Sequence, residues 1–169
     1  MNQPFVAVLM GSDSDLPVLQ TTLDVLKALH IPFEVKITSA HRTPEATHAY
    51  VKSADSRGCS VFIAAAGLAA HLAGTVAGLT LKPVLGIPME GGPLNGMDAL
   101  LSTVQMPGGI PVGCLAIGKA GAKNAGFLAA QIMALSDPAL AQRLLQQRHE
   151  QCQQVQQKDA ELQRKLQQP

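Results

Sequence analysis

The chain has 169 residues, a length that favours a single domain and is sufficient to bury a substantial core. Its 13 basic and 12 acidic residues nearly balance, and one Tyr without any Trp leaves few side chains for base stacking, which argues against a nucleic-acid-binding protein. No apolar run is long enough to span a membrane, no charged signal region precedes the first apolar run, and the three cysteines are widely spaced, so we expect a cytoplasmic protein with reduced thiols.

Strand-like and helical patterns alternate along the chain. Apolar runs predict strands at residues 5–10, 33–38, 61–66, 84–87 and 111–117, and helical patterns follow at 16–29, 44–56, about 72–79 and 124–135, the last capped by Asn124. Residues 89–97 are crowded with glycine and predict a loop, which is our candidate for a lid over a site. Because apolar runs without alternation indicate strands covered on both faces, we predict an α/β three-layer sandwich around a parallel sheet.

The C-terminal part of the chain differs in composition from the rest. We expect a core over about residues 5–135 and a glutamine-rich helical tail over about 138–168, within one domain spanning 1–169. A narrow stripe at spacings of three and four predicts a long amphipathic helix that packs against another subunit, the alternative being a frayed, solvated extension. The stripe comprises Ala141, Leu145, Arg148, Cys152, Val155, Asp159, Leu162 and Leu166.

The most informative motif is SAHRTPE at residues 39–45, between a predicted strand and a helix opened by Pro44. A helix N-terminus favours a bound anion, and Arg42 can clamp a phosphate through two parallel hydrogen bonds. His41 is a natural proton carrier near neutral pH. The motif therefore predicts proton transfer on a phosphorylated small molecule, whereas the structural alternative makes Arg42 a surface ion-pair partner and His41 a helix-start residue.

Two further turns follow predicted strands. In GSDSD at residues 11–15, Ser12 and Ser14 can bind an anion and Asp15 can accept hydrogen bonds from sugar hydroxyls, although Ser and Asp are also common helix caps. In AGLAAH at residues 66–71, small side chains allow a flat ring to approach the backbone, and His71 either contacts that ligand or caps the next helix. The chain has no GxGxxG, HExxH or carboxylate cluster, so we expect neither a redox cofactor nor a metal.

These motifs, with AAHL at 69–72, QMP at 105–107 and GKAGAKNA at 118–125, resemble the bacterial N5-carboxyaminoimidazole ribonucleotide mutase family of purine biosynthesis over about residues 5–135. The resemblance implies a flavodoxin-like fold, a homo-octamer and transfer of a carboxylate from the exocyclic nitrogen of an aminoimidazole ribonucleotide to ring carbon C4. It implies His41 as the general acid and base. The implied substrate-binding residues are Ser12, Ser14, Asp15, Ser39, Ala40, Arg42, Gly67, Ala70, His71 and Leu72.

The chain departs from this family at Leu68 and Ala73, where the family usually has glycine and proline. A related branch that carboxylates the aminoimidazole directly with CO₂ tends to have lysine at the position of Arg42, so the resemblance favours the mutase. A non-catalytic nucleotide-binding module with the same phosphate turns is a third hypothesis, and such a module has no need of His41.

Overall fold

The centre of the molecule is a sheet of five strands that are all parallel. The structure, a computed structural model, describes residues 3–167; position 168, the expected end of the tail, lies outside them. The spatial order of the strands is β2-β1-β3-β4-β5, the order of flavodoxin-like folds. The strands are β1 (Phe5–Met10), β2 (Phe33–Ile37), β3 (Cys59–Ala66), β4 (Val84–Pro88) and β5 (Gly113–Cys114).

In the described part of the chain, six α-helices surround or extend from this sheet. Among the described residues, none of them is long and apolar enough to cross a membrane. The 29-residue α6 is the long C-terminal helix predicted from the stripe. The helices are α1 (Leu16–Ala28), α2 (Pro44–Ser56), α3 (Leu72–Ala77), α4 (Met97–Val104), α5 (Lys119–Ala134) and α6 (Pro138–Leu166).

Strand β1 separates two apolar cores because alternate side chains of a strand point to opposite faces. Val6 and Val8 belong to the core beneath α1 and α5, whereas Ala7 and Leu9 belong to the core beneath α2 and α3. All six residues of β1 are buried, which explains the run of apolar residues without alternation. The prediction of a flavodoxin-like three-layer sandwich with a long C-terminal helix is confirmed.

Three elements differ from the sequence prediction. Helix α4 was not predicted, because it is only eight residues long and directly follows a glycine-rich loop. Strand β5 is only two residues long, since it pairs with β4 only at residues 113 and 114. Helix α5 begins at Lys119, so the prediction that Asn124 caps it was wrong.

Glycines near its first turn made the start of α5 difficult to predict from the sequence. Gly118, the residue before the helix, has a φ of 72°, a left-handed value that favours glycine. A Cβ atom at Gly121 would lie 1.6 Å from the carbonyl oxygen of Ala116, so the first turn of α5 passes directly over the preceding backbone. Glycines that normally indicate a loop here allow close packing at a helix start.

Candidate active site

A cleft of about 580 Å³ lies at the carboxyl ends of β1, β2, β3 and β4. Its centre is the β1–β3 boundary, where the chain changes sides of the sheet and where open α/β folds bind ligands. Ala70, one of the expected site residues, is only 1% exposed and lies behind the surface. The other expected residues all line the cleft: Ser12, Ser14, Asp15, Ser39, Ala40, His41, Arg42, Gly67, His71 and Leu72.

The loop after β1 is organised by the Ser12 hydroxyl. Its Oγ accepts a hydrogen bond from the backbone N–H of Ser14 at 3.3 Å and another from the Ser14 hydroxyl at 2.9 Å. Ser12 thus caps a short 3₁₀ turn, Asp13–Asp15, that leads into α1. The capping and the ligand-facing interpretations of this motif are compatible, because the capped turn itself borders the cleft.

Asp15 is the carboxylate of this loop whose environment disfavours its charge. Burial raises the pKa of Asp15 above its ordinary value, a backbone hydrogen bond from Ser12 opposes that rise, and the neighbouring charge of Asp13 adds to it. A cleft carboxylate whose charged form is disfavoured by burial is typical of a functional position.

We expect Asp15→Asn to stabilise the free protein while weakening substrate binding about tenfold, through loss of one charged hydrogen bond. The raised pKa means that the folded state binds protons more readily than the unfolded state, so the free energy of unfolding falls as pH rises through the window above the ordinary pKa of 3.8. Asparagine removes that loss, so its advantage in thermal unfolding should be larger at pH 7 than at pH 4. An advantage that was independent of pH would contradict the assignment.

Hydroxyl groups fix the loop after β2. The backbone N–H of Arg42 donates to Ser39 Oγ at 3.1 Å, and the backbone N–H of Ser39 donates to Thr43 Oγ1 at 2.9 Å. Beneath them, the buried hydroxyls of Thr38 and Thr47 are 2.7 Å apart. The sequence pattern assigned no role to these threonines, and the spacing of Thr43 and Thr47 at the start of α2 was the available signal.

Arg42 connects two of the loops. Its Nη2 donates to the carbonyl oxygen of Gly11 at 3.1 Å, which brings the guanidinium from the β2 loop to the serine-rich β1 loop. The remaining guanidinium donors are available to a ligand in the cleft, beside Ser12 and Ser14. This arrangement suits a phosphate group.

His41 and His71 form a hydrogen-bonded pair across the cleft. His41 Nε2 lies 2.8 Å from His71 Nδ1, with the rings edge to face at 84° and their centroids 4.9 Å apart. His71 makes no side-chain capping bond to α3, so the geometry favours its cleft-facing interpretation. Because one nitrogen of the contact must lack a hydrogen, the pair joins a proton donor to a proton acceptor. Within residues 3–167, no group of three or more His, Cys, Asp or Glu side chains is placed to hold a metal ion.

The loop after β4, which the sequence suggested as a lid, contributes three residues that were not among the expected binding residues. Glu90, Gly91 and Gly92 line the cleft opposite the β1 and β2 loops. Gly92 has a φ of 64°, and a Cβ atom there would lie 2.5 Å from Leu68 Cδ2. Leu68, whose own φ is 56°, therefore packs against this loop. In the sequence, the adjacent glycines at 91 and 92 were the signal for this close approach.

The fold and the cleft define an α/β protein with a polar cleft that suits an anionic small molecule beside a histidine pair. The chain belongs to the AIR carboxylase family, whose model matches residues 5–154.

Named relatives cover most of the chain. It is 51% identical to the N5-carboxyaminoimidazole ribonucleotide mutase of Bacillus subtilis over 86% of this chain and 90% of the relative. It is 52% identical to the Escherichia coli (strain K12) protein of that name over 85% of each chain. The crystal structure of Treponema denticola PurE superposes with a TM-score of 0.85 at 29% identity, covering 95% of this chain and 99% of that one. The resemblance stated from the motifs is confirmed.

Proposed function

We propose that this protein is a mutase that converts N5-carboxyaminoimidazole ribonucleotide to 4-carboxy-5-aminoimidazole ribonucleotide, in the de novo pathway to the purine nucleotide IMP. Family membership and about one-half identity to relatives of that name support the proposal. The observation that carries it is the placement of His41, bonded to His71, in the same cleft as Arg42. That combination supplies a proton carrier beside an anion-binding group.

In this proposal the ribose phosphate lies between the β1 and β2 loops. Ser12, Asp15 and Arg42 bind it, with Ser14 and Ser39 adjacent. Arg42 supplies charge-assisted hydrogen bonds to the phosphate, and Asp15 accepts hydrogen bonds from the ribose hydroxyls. The aminoimidazole ring then lies over the β3 turn, which contains Gly67, Ala70, His71 and Leu72, with Ala40 of the β2 loop beside it.

His41 is the general acid and base of the proposed reaction. It donates a proton to the exocyclic nitrogen as the N–CO₂ bond breaks, releasing CO₂ and the neutral aminoimidazole. Ring carbon C4 then attacks the trapped CO₂, and His41 removes the C4 proton to restore aromaticity. One imidazole gives the first proton and takes the second, so no net proton is exchanged with solvent.

Retention of CO₂ is the demanding step, because a free gas molecule would diffuse away. Holding it beside C4 is a proximity effect that requires the cleft to be closed to water. The loop at residues 89–97 is our candidate for that lid, supported by the three loop residues Glu90, Gly91 and Gly92 that line the cleft.

A substrate-choice assay tests the proposal. Purified protein is offered either the N-carboxylated ribonucleotide or the bare aminoimidazole ribonucleotide with excess bicarbonate, and the C4-carboxylated product is measured. We expect rapid product from the first substrate alone. Efficient product from the second would assign the chain to direct carboxylation, and tight binding without product from either would indicate a nucleotide-binding module.

The wider organisation belongs to the same proposal. We infer one domain over residues 1–169, a homo-octamer whose sites lie at subunit contacts, and chemistry that uses no cofactor or metal. Support for the octamer comes from the family resemblance and from the exposed face of α6. The cytoplasmic location expected from the sequence stays a prediction.

A further inference from the structure

Helix α6 extends far beyond the part of the molecule on which it packs. Leu140 is buried, and Arg143 Nε donates to the carbonyl oxygen of Leu29 at 2.9 Å, which anchors the first turns. Beyond them the apolar side chains are open to solvent: Val155 is 68% exposed and Leu166 is 70% exposed. A long helix is only marginally stable in water unless one of its faces packs against another surface. The single apolar stripe of α6 therefore indicates a packing partner.

The stripe has the spacing of a coiled-coil seam, with residues alternately three and four positions apart. Two charged side chains interrupt it, Arg148 and Asp159, which lie equally far from its midpoint. Within residues 3–167 neither makes an ion pair, and Asp159 only accepts a long 3.4 Å bond from the Gln163 side chain. If a second copy of the helix runs in the opposite direction about the same midpoint, the positive charge of each copy lies beside the negative charge of the other.

We propose that α6 pairs antiparallel with α6 of a second copy of this chain, in the register that brings Arg148 against the partner's Asp159. A twofold axis then passes through the midpoint between residues 153 and 154, and the charged pair forms twice. In the same register Leu145 meets the partner's Leu162, and Cys152 meets the partner's Val155. Parallel pairing in register would instead place Arg148 against Arg148 and Asp159 against Asp159, which is repulsive.

A groove on each copy fits the distal half of the partner helix. A cavity of about 690 Å³ lies between α5 and α6, lined by Phe127 and Leu128 on α5 and by Ala141, Leu145 and Arg148 on α6. The proposed register places the partner's Leu162 and Leu166 over this groove, and the partner's Asp159 beside Arg148. The seam therefore continues onto Phe127 and Leu128 of α5, which are flanked there by the polar side chains of Lys123, Asn124 and Gln131. These two apolar side chains give the distal stripe more area to bury than α6 alone.

Engineered disulfides in the full-length chain test the register. In a Cys152→Ala background, Leu145→Cys with Leu162→Cys should give a covalent dimer under mild oxidation, seen on a non-reducing gel, with linked tryptic peptides containing positions 145 and 162. The two positions are about 25 Å apart along one helix, so a disulfide within a chain is excluded. Either substitution alone should leave the protein monomeric on the gel. The outward-facing pair Glu150→Cys with Gln157→Cys, a matched control in the same register, should also stay unlinked.

Dimers from either single variant would indicate parallel pairing and overturn the proposal. Failure of the double variant to link, or a ladder of larger species in place of a closed dimer, would overturn it too.

Charge exchange provides a second measurement on the same crosslinkable chain. Arg148→Glu should slow disulfide formation about fivefold, because it places two carboxylates together in each pair. Adding Asp159→Arg should restore the rate to within about twofold of the parent, since the pair is then reversed in sign but intact. A single variant that linked as fast as the parent, or a double variant that stayed slow, would contradict the Arg148–Asp159 contact.

Discussion

Replacing His41 with asparagine is expected to lower kcat about 10³- to 10⁴-fold while leaving substrate affinity nearly unchanged. Asparagine keeps a polar side chain of similar reach but cannot carry a proton, and the proposed reaction uses the same imidazole for two proton transfers. The side chain is exposed to the cleft and not part of either core, so the fold should be unaffected. Single-turnover kinetics with the N-carboxylated substrate, together with equilibrium binding of the product, separate the two quantities.

The matched control is His48→Asn on the exposed face of α2, which should retain full activity. Normal turnover by the His41 variant would refute the proton-transfer mechanism. Equal loss of binding and turnover would instead mean that His41 holds the substrate and does not act on it.

Replacing Arg42 with alanine is expected to raise KM about 100-fold with a smaller effect on kcat. A guanidinium that forms two charge-assisted bonds to a phosphate contributes about this much to binding, through interactions that are similar in the ground state and the transition state. Arg42→Lys should recover only part of the loss, because an ammonium cannot bind a phosphate in the same bidentate geometry.

The steady-state kinetics of the Arg42 variants require one structural check, since Arg42 also donates to the Gly11 carbonyl. Thermal unfolding should change little, because that bond is exposed. Lys52→Ala on the outer face of α2 is a matched loss of one positive charge and should leave KM unaltered. An unchanged KM in Arg42→Ala would show that the phosphate lies elsewhere.

The position of the site could be predicted because each motif follows a strand. In a parallel sheet the carboxyl ends of the strands meet at one edge, so the turns that contain Ser12, His41 and His71 converge although up to about sixty residues separate them. The uninterrupted apolar runs predicted the parallel sheet itself.

The contacts within the site could not be predicted in the same way. The 2.8 Å bond between His41 and His71 depends on side-chain directions in two separate turns, which periodicity does not specify. Likewise, the buried contact between Thr38 and Thr47 depends on how α2 lies against β2. The contribution of Glu90 depends on the path of a loop whose glycines allow several conformations.

The cleft is assembled from the loops that follow four strands, and these loops are far apart along the chain. Contacts of high sequence separation form late, after the entropy of closing the intervening loops has been overcome. A one-residue slip between β1 and either neighbour would reverse which side chains enter each core, so misregistered intermediates are strongly disfavoured. During refolding, catalytic activity should therefore appear together with protection of the slowest-exchanging amide hydrogens of β1 and β3. Enzymatic turnover would then report complete formation of the sheet.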